Sequence, residues 1–594
     1  MLFIEFAKYL DKLETTSKRL EITDILSDLI KDLSTNEAAQ AIHLTLGQLK
    51  APFESQKFNI ADKMMVKAVS QAYQLDESEV QESYNTLGDL GDVIINIKTQ
   101  NKSTGETIDT VYTALLDIAQ IEGKGSQEKK LNKLSELLNK LDPLSAKYVT
   151  RIILGTTRLG FTALTIIDAL VVYLNGNKDK QLKTDIEFKY NVHPDIGLIV
   201  AKIIDKGLAG IQDIKMEPGV PLMPQKPQRL GTTEETLEKM NGTVWAEFKL
   251  DGTRVQLHMD RKKKLHIPLT ETPLFGENME DKIFVKTFTR NLDETTHQFP
   301  DIIQAAKEYI NADSVILDGE AIGYNKETGE YLPFQETIQR KRKHGIEDAV
   351  TEIPLKYLVF DILFYNGNET ITKPLIERRK LLNKLIKKND IILANDNLLT
   401  TDPSALEDYF MEAKNKKLEG LVVKNPDSEY QAGARSFSWV KLKRLEGGES
   451  TQLADTIDTV ILGYYFGKGI RASFGIGGFL AGVYDKKSKE FKTLTKVGTG
   501  LKDEDWVYLK EQCNKLELKE KPSNVEVAKE LVPDVWVKPT IVTELRADEI
   551  SKSTQHSVGY ALRFPRLIKF RTDKDALDTT STEEIEELFR LQSK

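Results

Sequence analysis

The sequence predicts three domains of different fold class: an all-α domain, an α+β domain and a small strand-rich barrel. Three observations support this division. Apolar residues recur at helical spacing as far as about residue 216, spaced prolines then interrupt the chain, and short β-rich runs follow, separated by glycine, asparagine and aspartate. A chain of 594 residues is also too long for a single hydrophobic core. We place the domains at residues 1–217, 218–445 and 446–594.

The first domain is predicted to be helical because its apolar residues recur at intervals of three and four, as in Leu26, Leu29, Ile30 and Leu33. The segment Pro218–Pro227 follows. Its four prolines cannot continue a helix or a central strand, so we expect an interdomain linker there.

The middle domain alternates strands with helices, and the last domain consists mainly of strands. In the middle domain we expect strands at Thr243–Leu250, Arg254–Met259, Ser314–Tyr324, Lys356–Phe364, Leu421–Lys424 and Ser438–Leu442, and helices at 299–311, 374–388 and 403–415. In the last domain, Thr459–Tyr465 and Phe479–Tyr484 are predicted strands. The glycine-rich loops between them favour a closed or partly closed barrel.

Composition excludes several classes of protein. Cys513 is the only cysteine, so the chain can form neither an internal disulfide nor a four-cysteine zinc module, which fits the reducing cytoplasm. We find no signal peptide and no apolar run of membrane-spanning length. The formal charge of −8 gives no indication of a nucleic-acid partner, but local basic clusters occur at 261–264, 340–343 and 441–444.

Strand alternation places charged residues of the middle domain on common faces. Glu247 shares a face with Lys249, Asp318 with Glu320, and Lys441 with Lys443. Parity puts Glu419 and Lys424 on opposite faces of their strand, so a bend or bulge is needed if both belong to one site.

A bound polyphosphate with a divalent metal ion explains this set of charges better than mutual pairing alone. Lysine and arginine neutralise phosphate, and carboxylates hold the cation. Lys249, before an Asp-Gly turn, is a candidate covalent nucleophile. The eight residues Glu247–Arg254 taken alone fit an exposed strand lysine before a hairpin equally well. The segment Gly463–Lys468 is one residue too short for a phosphate-binding Walker loop, and Gly469 replaces its Ser or Thr.

The order of these motifs resembles that of the covalent nucleotidyltransferases, and specifically that of ATP-dependent DNA ligases of the archaeal and eukaryotic replicative type. The motifs are Glu247-x-Lys249-x-Asp251-Gly252-x-Arg254, Thr289-Arg290-Asn291, Asp318-Gly319-Glu320, Phe360-Asp361, Glu419-Gly420-x-Val422-x-Lys424 and Lys441-x-Lys443. Leu154-Gly155-x-x-Arg158-Leu159-Gly160, Arg563-Phe564-Pro565-Arg566 and Arg571-x-Asp573-Lys574 extend the resemblance to both ends of the chain.

The resemblance implies a fold: an all-α DNA-binding domain, an α+β, ATP-grasp-like nucleotidyltransferase core and an oligonucleotide-binding (OB-fold) barrel. It also implies a reaction. Lys249 would carry AMP from ATP, and the enzyme would seal 5′-phosphate/3′-hydroxyl nicks in duplex DNA during replication, repair and recombination. The protein would act as a cytoplasmic monomer. A sliding clamp is a partner typical of the family, but the sequence contains no clear clamp-binding peptide.

The resemblance also assigns roles to residues. Glu247 would contact adenine and Phe360 would stack on it. Phosphate or ribose oxygens would be bound by Arg254, Arg290, Arg435, Lys424, Lys441 and Lys443. Glu320 and Glu419 would ligate Mg²⁺. Arg571 and Lys574, on the mobile barrel, would orient the leaving pyrophosphate.

Two departures and several alternatives accompany this hypothesis. The extra residues 261–283 are expected to be a solvated insertion or a contact with the DNA backbone, and Thr289 stands where the family usually has serine. An RNA ligase or an mRNA-capping guanylyltransferase would use the same lysine chemistry. An NAD-dependent ligase is disfavoured because its zinc module requires four cysteines. The non-enzymatic alternative is a DNA-binding scaffold with a degenerate core.

Overall fold

The computed structural model describes residues 1–54, 56–97, 105–264, 283–340, 350, 352–416, 418–443 and 456–591. The chain divides into two compact units, one comprising residues 1–59, 105–122 and 159–448 and the other 60–104, 123–158 and 449–594. The helical N-terminal region thus contributes to both units.

The N-terminal region is helical, as predicted. In the first unit it forms α1 (Phe3–Glu14), α2 (Arg19–Asp32), α3 (Thr35–Thr45), α7 (Ile108–Gln120), α10 (Ala163–Asn175), α11 (Lys180–Val192) and α12 (Ile196–Lys206). In the second unit it forms α4 (Asp62–Tyr73), α5 (Glu77–Leu87), α6 (Leu90–Asn96), α8 (Ser126–Lys140) and α9 (Pro143–Ile153). The expected apolar face of α2 is buried.

Two sheets form the α+β part of the first unit. The five-stranded sheet has the order β1-β11-β10-β2-β9, with β1 Lys226–Arg229, β2 Val244–Lys249, β9 Asn397–Thr400, β10 Gly420–Lys424 and β11 Arg435–Leu442. The six-stranded sheet has the order β4-β3-β5-β6-β7, with β8 paired to β6, and its strands are β3 Thr253–Lys264, β4 Ile283–Thr289, β5 Ser314–Gly323, β6 Leu355–Tyr365, β7 Asn368–Glu369 and β8 Ile392–Ala394. The helices are α13 (Thr233–Lys239), α14 (Pro300–Tyr309), α15 (Phe334–Thr337), α16 (Leu375–Leu385) and α17 (Pro403–Asn415).

Strand alternation decides which face of each sheet is covered. In β3, Val255, Leu257 and Met259 enter a core shared with α14 and α16, and the polar residues between them face the opposite way. In β2, Ala246 and Phe248 pack into a core shared with α13 and α17. The face that carries Glu247 and Lys249 is therefore left for the site. All the strands and helices expected in this domain are present, within a few residues of their expected ends.

The segment predicted to be a linker is instead packed against the core. Leu222 and Gln225 are fully buried, and the Leu222 amide donates to the side chain of Gln256 at 3.0 Å. Pro227 lies within β1, at the edge of the five-stranded sheet, where a missing amide donor is tolerated. The prolines correctly excluded a helix and a central strand, but they did not exclude an edge strand.

The C-terminal part of the second unit is an eight-stranded sheet with a separate hairpin. The sheet runs β15-β17-β12-β13-β14-β16, and β18 pairs with both β12 and β21. Its strands are β12 Ile457–Tyr465, β13 Gly478–Asp485, β14 Glu490–Val497, β15 Glu517–Leu518, β16 Val525–Glu526, β17 Val535–Val537, β18 Val542–Arg546 and β21 Arg566–Phe570. The hairpin is β19 Glu549–Lys552 with β20 Tyr560–Arg563, and the helices are α18 (Asp503–Lys515) and α19 (Thr582–Leu591).

This sheet curls into the partly closed barrel that the sequence predicts. The register of β12 against β13 shifts between Ile461 and Gly463, and β12 pairs with β18 before the shift and with β17 after it. At the far end, the Leu567 amide donates to the Thr499 carbonyl at 2.9 Å and so ties β21 to the segment that follows β14.

Candidate active site

Lys249 lies at the end of β2, where the chain turns into β3. The turn contains Gly252, and a Cβ atom at that position would lie 2.5 Å from the carbonyl oxygen of Ala321 on β5. Only glycine allows so close an approach. The turn therefore packs onto the six-stranded sheet, and Lys249 is held where the two sheets meet.

Glu419 is the carboxylate that pairs with Lys249. It forms an ion pair with the Lys249 ammonium and a second one, at 3.1 Å, with Lys443. Burial alone would raise the pKa of Glu419, but the two ammonium groups outweigh this effect and lower it. In this arrangement the carboxylate neutralises the amine that is expected to react.

Gly420 supplies the bend that strand parity requires. Glu419 precedes β10, its amide donates to the Lys249 carbonyl at 3.2 Å, and Gly420 has a φ of +135°. A Cβ atom at Gly420 would lie 2.1 Å from the Leu442 carbonyl oxygen, so only glycine fits. Residues opposite one another in antiparallel strands point to the same face. Because Gly420 pairs with Lys249, Lys424 lies on the lysine's face, and the bend brings Glu419 to the same amine.

Glu247 is buried and held by several donors. Its carboxylate accepts hydrogen bonds from the Trp245 indole at 2.9 Å and from the Lys424 ammonium at 2.8 Å. Lys424 is also buried; its Nζ atom lies 4.7 Å from the Phe360 ring centroid and 4.4 Å from that of Trp439. Burial lowers the pKa of Lys424, and Glu247 opposes that shift.

Phe360 and Val422 flank this buried pair. Both are half-buried and pack against the same apolar cluster, which includes Trp439. Val422 pairs with Glu247 on one side and with Lys441 on the other, so the three side chains lie in one row across the sheet. An aromatic ring and a small aliphatic side chain beside a fixed carboxylate can hold a flat heterocycle.

Arg254 is fixed by a network of hydrogen bonds. Its guanidinium binds Asp318 through two bonds, at 3.0 and 2.6 Å, and donates to the Gln225 carbonyl at 2.8 Å. The Tyr430 hydroxyl donates to the same carboxylate at 2.8 Å. Because Asp318 is fully buried and binds the guanidinium through two hydrogen bonds, it fixes the orientation of Arg254.

Glu320 faces the same region from the six-stranded sheet, paired in register with Arg254. Burial raises the pKa of its carboxyl group to about 7, and the nearby cations Lys249 and Arg254 only partly offset this effect. Glu320 and Glu419 thus approach Lys249 from the two sheets. Within the described part of the chain, no cluster of three or more acidic, histidine or cysteine side chains is arranged to hold a metal ion.

Of the remaining predicted residues of this unit, Lys441 and Lys443 lie near Lys249, whereas Arg435 and Arg290 are exposed. Burial lowers the pKa of Lys441, and Lys443 and Lys249 lower it further. Arg435 begins β11 and is exposed. Arg290 is exposed and directly follows Thr289, which pairs with Val255, next to Arg254.

Comparisons with known proteins identify the family of the chain. Three family models match the chain: DNA ligase N terminus at residues 2–171, ATP dependent DNA ligase domain at 278–443 and ATP dependent DNA ligase C terminal region at 472–574. A probable DNA ligase of Dictyoglomus turgidum is 40% identical over 100% of this chain and 98% of its own length. The DNA ligase of Saccharolobus solfataricus is 34% identical over the same shares.

The chain belongs to the ATP-dependent DNA ligase family. A solved structure described as Pmar-Lig_Pre, 16% identical, aligns over 96% of this chain and 99% of its own with a TM-score of 0.54, and it supports the fold. The predicted fold class and enzyme class are thereby confirmed. The middle family model begins after Lys249, so the assignment of the nucleophile rests on the motif and the geometry.

In this ligase, Arg571 and Lys574 belong to the second unit, and both are paired there with acidic residues. Arg571 binds Asp573 at 2.7 Å and Asp458 at 3.2 Å, and Lys574 binds Asp458 at 2.5 Å. Asp458, on β12, is largely buried and pairs with both cations. These ion pairs hold both side chains against β12.

Arg158 of the N-terminal motif is also fixed within the second unit of the ligase. It has a φ of +62°, donates to the Gly88 carbonyl at 2.7 Å and pairs with Asp89 at 3.0 Å. The predicted insertion lies mostly outside the described residues. Its beginning, Arg261–Lys264, extends β3. No helix in the described ranges is long and apolar enough to span a membrane.

Reasoning from the sequence assigned no role to several residues that shape the ligase site. Val422 stands in one of the motifs, and strand parity puts it on the same face as Gly420 and Lys424. Tyr430 and Asn395, whose amide approaches Glu247 at 3.5 Å, lie on loops outside the motifs and carried no signal.

Proposed function

We propose that this ligase seals nicks between a 5′-phosphate and a 3′-hydroxyl in duplex DNA, in replication, repair and recombination, with Lys249 as the carrier of AMP. One observation supports this assignment above all. The Lys249 amine lies where two sheets meet, paired with Glu419 on one side and within electrostatic range of Glu320 on the other. We also propose that it acts as a cytoplasmic monomer.

Phe360 and Val422 would hold adenine between them. Phe360 would stack on the base, and Glu247 would accept a hydrogen bond from the exocyclic amine. The Glu247 carboxylate is already fixed by Trp245 and Lys424, so its orientation costs little on binding. Guanine presents a carbonyl oxygen at the corresponding position, which a carboxylate would repel.

Attack on the α-phosphate requires the unprotonated Lys249 amine, and pyrophosphate leaves as the nitrogen–phosphorus bond forms. Glu419 stabilises the ammonium form in the ion pair, so it has to move away from Lys249 before reaction. Lys441 and Lys443 would then bind phosphate oxygens, and Arg254 would bind ribose or phosphate oxygens with a guanidinium that Asp318 already orients.

Glu320 and Glu419 are the residues that would hold Mg²⁺. Carboxylate oxygens are the donors that this ion prefers, and two protein ligands together with substrate phosphates are typical for it. The bound ion supplies charge neutralisation at the phosphates. For this role Glu320 has to be ionised and Glu419 has to exchange its lysine partners.

Two further transfers would complete the cycle. The 5′-phosphate oxygen of the nick attacks the lysyl-AMP phosphorus and releases Lys249. The 3′-hydroxyl then attacks the 5′-phosphate and expels AMP. Arg571 and Lys574 would serve only the first of the three steps, by orienting pyrophosphate. In the later steps the barrel domain would swing and clasp the DNA.

Covalent labelling tests the proposal. Purified full-length protein with Mg²⁺ and ATP labelled at the α-phosphate should acquire one covalent label per chain, stable in alkali and released by acid as expected of a phosphoramide, and Lys249→Ala should acquire none. Lys380→Ala, which removes an exposed lysine of α16, is the matched control and should label like the wild type. Absence of label on the folded wild-type protein would refute the mechanism.

Labelling with GTP, together with sealing and DNA-binding assays, separates the alternatives. Label from GTP but not from ATP would indicate a capping guanylyltransferase. Sealing of nicked RNA but not of nicked DNA would indicate an RNA ligase. DNA binding without any label would indicate a scaffold.

A further inference from the structure

Strand β1 adds an unassigned arginine to the cationic side of the site. β1 runs parallel to β11, and Arg229 pairs in register with Lys441, while Lys226 pairs with Arg435. The register shifts within β1. Pro227 pairs with Ser436, but the next residue, Gln228, pairs with Val440. This irregularity brings Arg229, at the end of β1, alongside Lys441.

The cations around Lys441 form one group. The positive charges that act on it come from Lys443, Lys249, Arg435 and Arg229. Arg229 thus lies within electrostatic range of a residue beside the nucleophile, although it is separated from Lys249 in the sheet by β11 and β10.

This group has an excess of positive charge. Among the described residues, the ion pairs of these five cations all end on Glu419, which engages Lys249 and Lys443. Arg229, Arg435 and Lys441 form no ion pair with a described carboxylate. Arg229 and Arg435 are exposed to solvent, and binding of an anion would relieve the mutual repulsion of the group.

Protection of the sheet edge is the simplest alternative. Edge strands commonly carry charged residues that prevent pairing with another chain. That role requires a charge on β1 but does not require it to lie beside the lysines of the site. It also predicts that loss of Arg229 leaves every reaction step unchanged.

We propose that Arg229 is a phosphate-binding residue of this site, which extends the cationic surface of Lys441 and Lys443 to the sheet edge. Its ligand is a phosphate oxygen anion. The two possible sources are the β- or γ-phosphate of ATP and a backbone phosphate of DNA near the nick. A guanidinium suits either one, because it donates two parallel hydrogen bonds to phosphate. The inference rests on the proposed function.

Single-step assays of full-length Arg229→Ala test the inference and distinguish the two sources. The first assay measures the rate of self-adenylylation against ATP concentration. The second uses protein that is already adenylylated and measures transfer of AMP to nicked DNA without ATP. Loss of one charge-assisted phosphate contact is expected to weaken the relevant step about tenfold. Arg229→Lys should recover part of the loss, and Lys380→Ala, with the same change in charge, should resemble the wild type.

A rise of about tenfold in KM for ATP with unchanged transfer to DNA would assign the triphosphate. Weaker transfer of AMP to DNA would identify a DNA phosphate as the ligand. In that case the slope of log affinity for DNA against log salt concentration should also fall by about one, as expected for one lost phosphate contact. Wild-type behaviour in both assays would overturn the inference. Labelling of wild-type protein at Lys249 tests the proposed function separately. If Arg229→Ala does not fold, Arg229→Gln retains the side-chain stem and is judged by the same outcomes.

Discussion

Replacement of Gly420 by alanine tests how Glu419 reaches Lys249. The added methyl group would lie 2.1 Å from the Leu442 carbonyl oxygen and 3.1 Å from the Phe410 ring, at a φ of +135°. A non-glycine residue in such a conformation costs about 1–3 kcal/mol, and overpacking adds about 1–3 kcal/mol. We expect Gly420→Ala to lower the free energy of unfolding by about 2–6 kcal/mol.

The strain also has a consequence for activity. Relief of the clash moves the start of β10 away from Leu442 and stretches the bond between the Glu419 amide and the Lys249 carbonyl. Glu419 then no longer approaches the reacting amine. We expect self-adenylylation per folded molecule to fall at least tenfold, with a higher Mg²⁺ requirement.

Gly367→Ala is the matched control. Gly367 has a φ of +85°, but a Cβ atom there would meet no atom within 4 Å. The substitution should cost about 1–2 kcal/mol from backbone conformation alone and leave adenylylation unchanged. Urea denaturation gives the stability and α-labelled ATP gives the rate. If Gly420→Ala proves no more destabilising than Gly367→Ala and labels normally, the account of the bend is wrong.

Two further predictions concern pH and the barrel. Because the pKa of Glu320 is raised to about 7, its carboxylate becomes protonated as the pH falls through 7, so self-adenylylation at limiting Mg²⁺ should decline there. Glu320→Gln should be slower and lose this dependence; a pH profile that it shares with the wild type would contradict the assignment. The raised pKa of Glu320 also makes stability depend on pH. Its contribution to the free energy of unfolding is fully present below pH 4.5, the pKa of the carboxyl group in the unfolded chain, and is lost as the pH rises through about 7. Arg571→Ala and Lys574→Ala should impair self-adenylylation more than the sealing of pre-adenylylated nicks, with exposed Lys487→Ala as the control. Equal loss in both reactions would count against a role in orienting pyrophosphate.

Much of the site could be predicted because strand periodicity is a local property. A period of two places Glu247 with Lys249 and Asp318 with Glu320, whatever the strands pair with. In the structure these residues share the predicted faces. Asp318, however, accepts hydrogen bonds from Arg254 and Tyr430, and no local pattern specifies those partners.

The linker prediction shows where local reasoning failed. Proline chemistry correctly excluded a helix at 218–227, yet Leu222 is buried and Pro227 lies in an edge strand. Whether an irregular segment is exposed depends on what it covers, and here it covers the polar face of β3 through Gln256. That information belongs to the partner strand and is absent from the segment's own composition.

The sequence by itself determined the family, the order of the motifs and the identity of the lysine expected to react. The tertiary structure decided how the charges are used. It brings Glu419 to Lys249 through the bend at Gly420, buries Lys424 against Glu247 and places Arg229 beside Lys441. The physical reason is that charge pairing and burial depend on distances between separate strands, and these distances are set only when the sheets assemble.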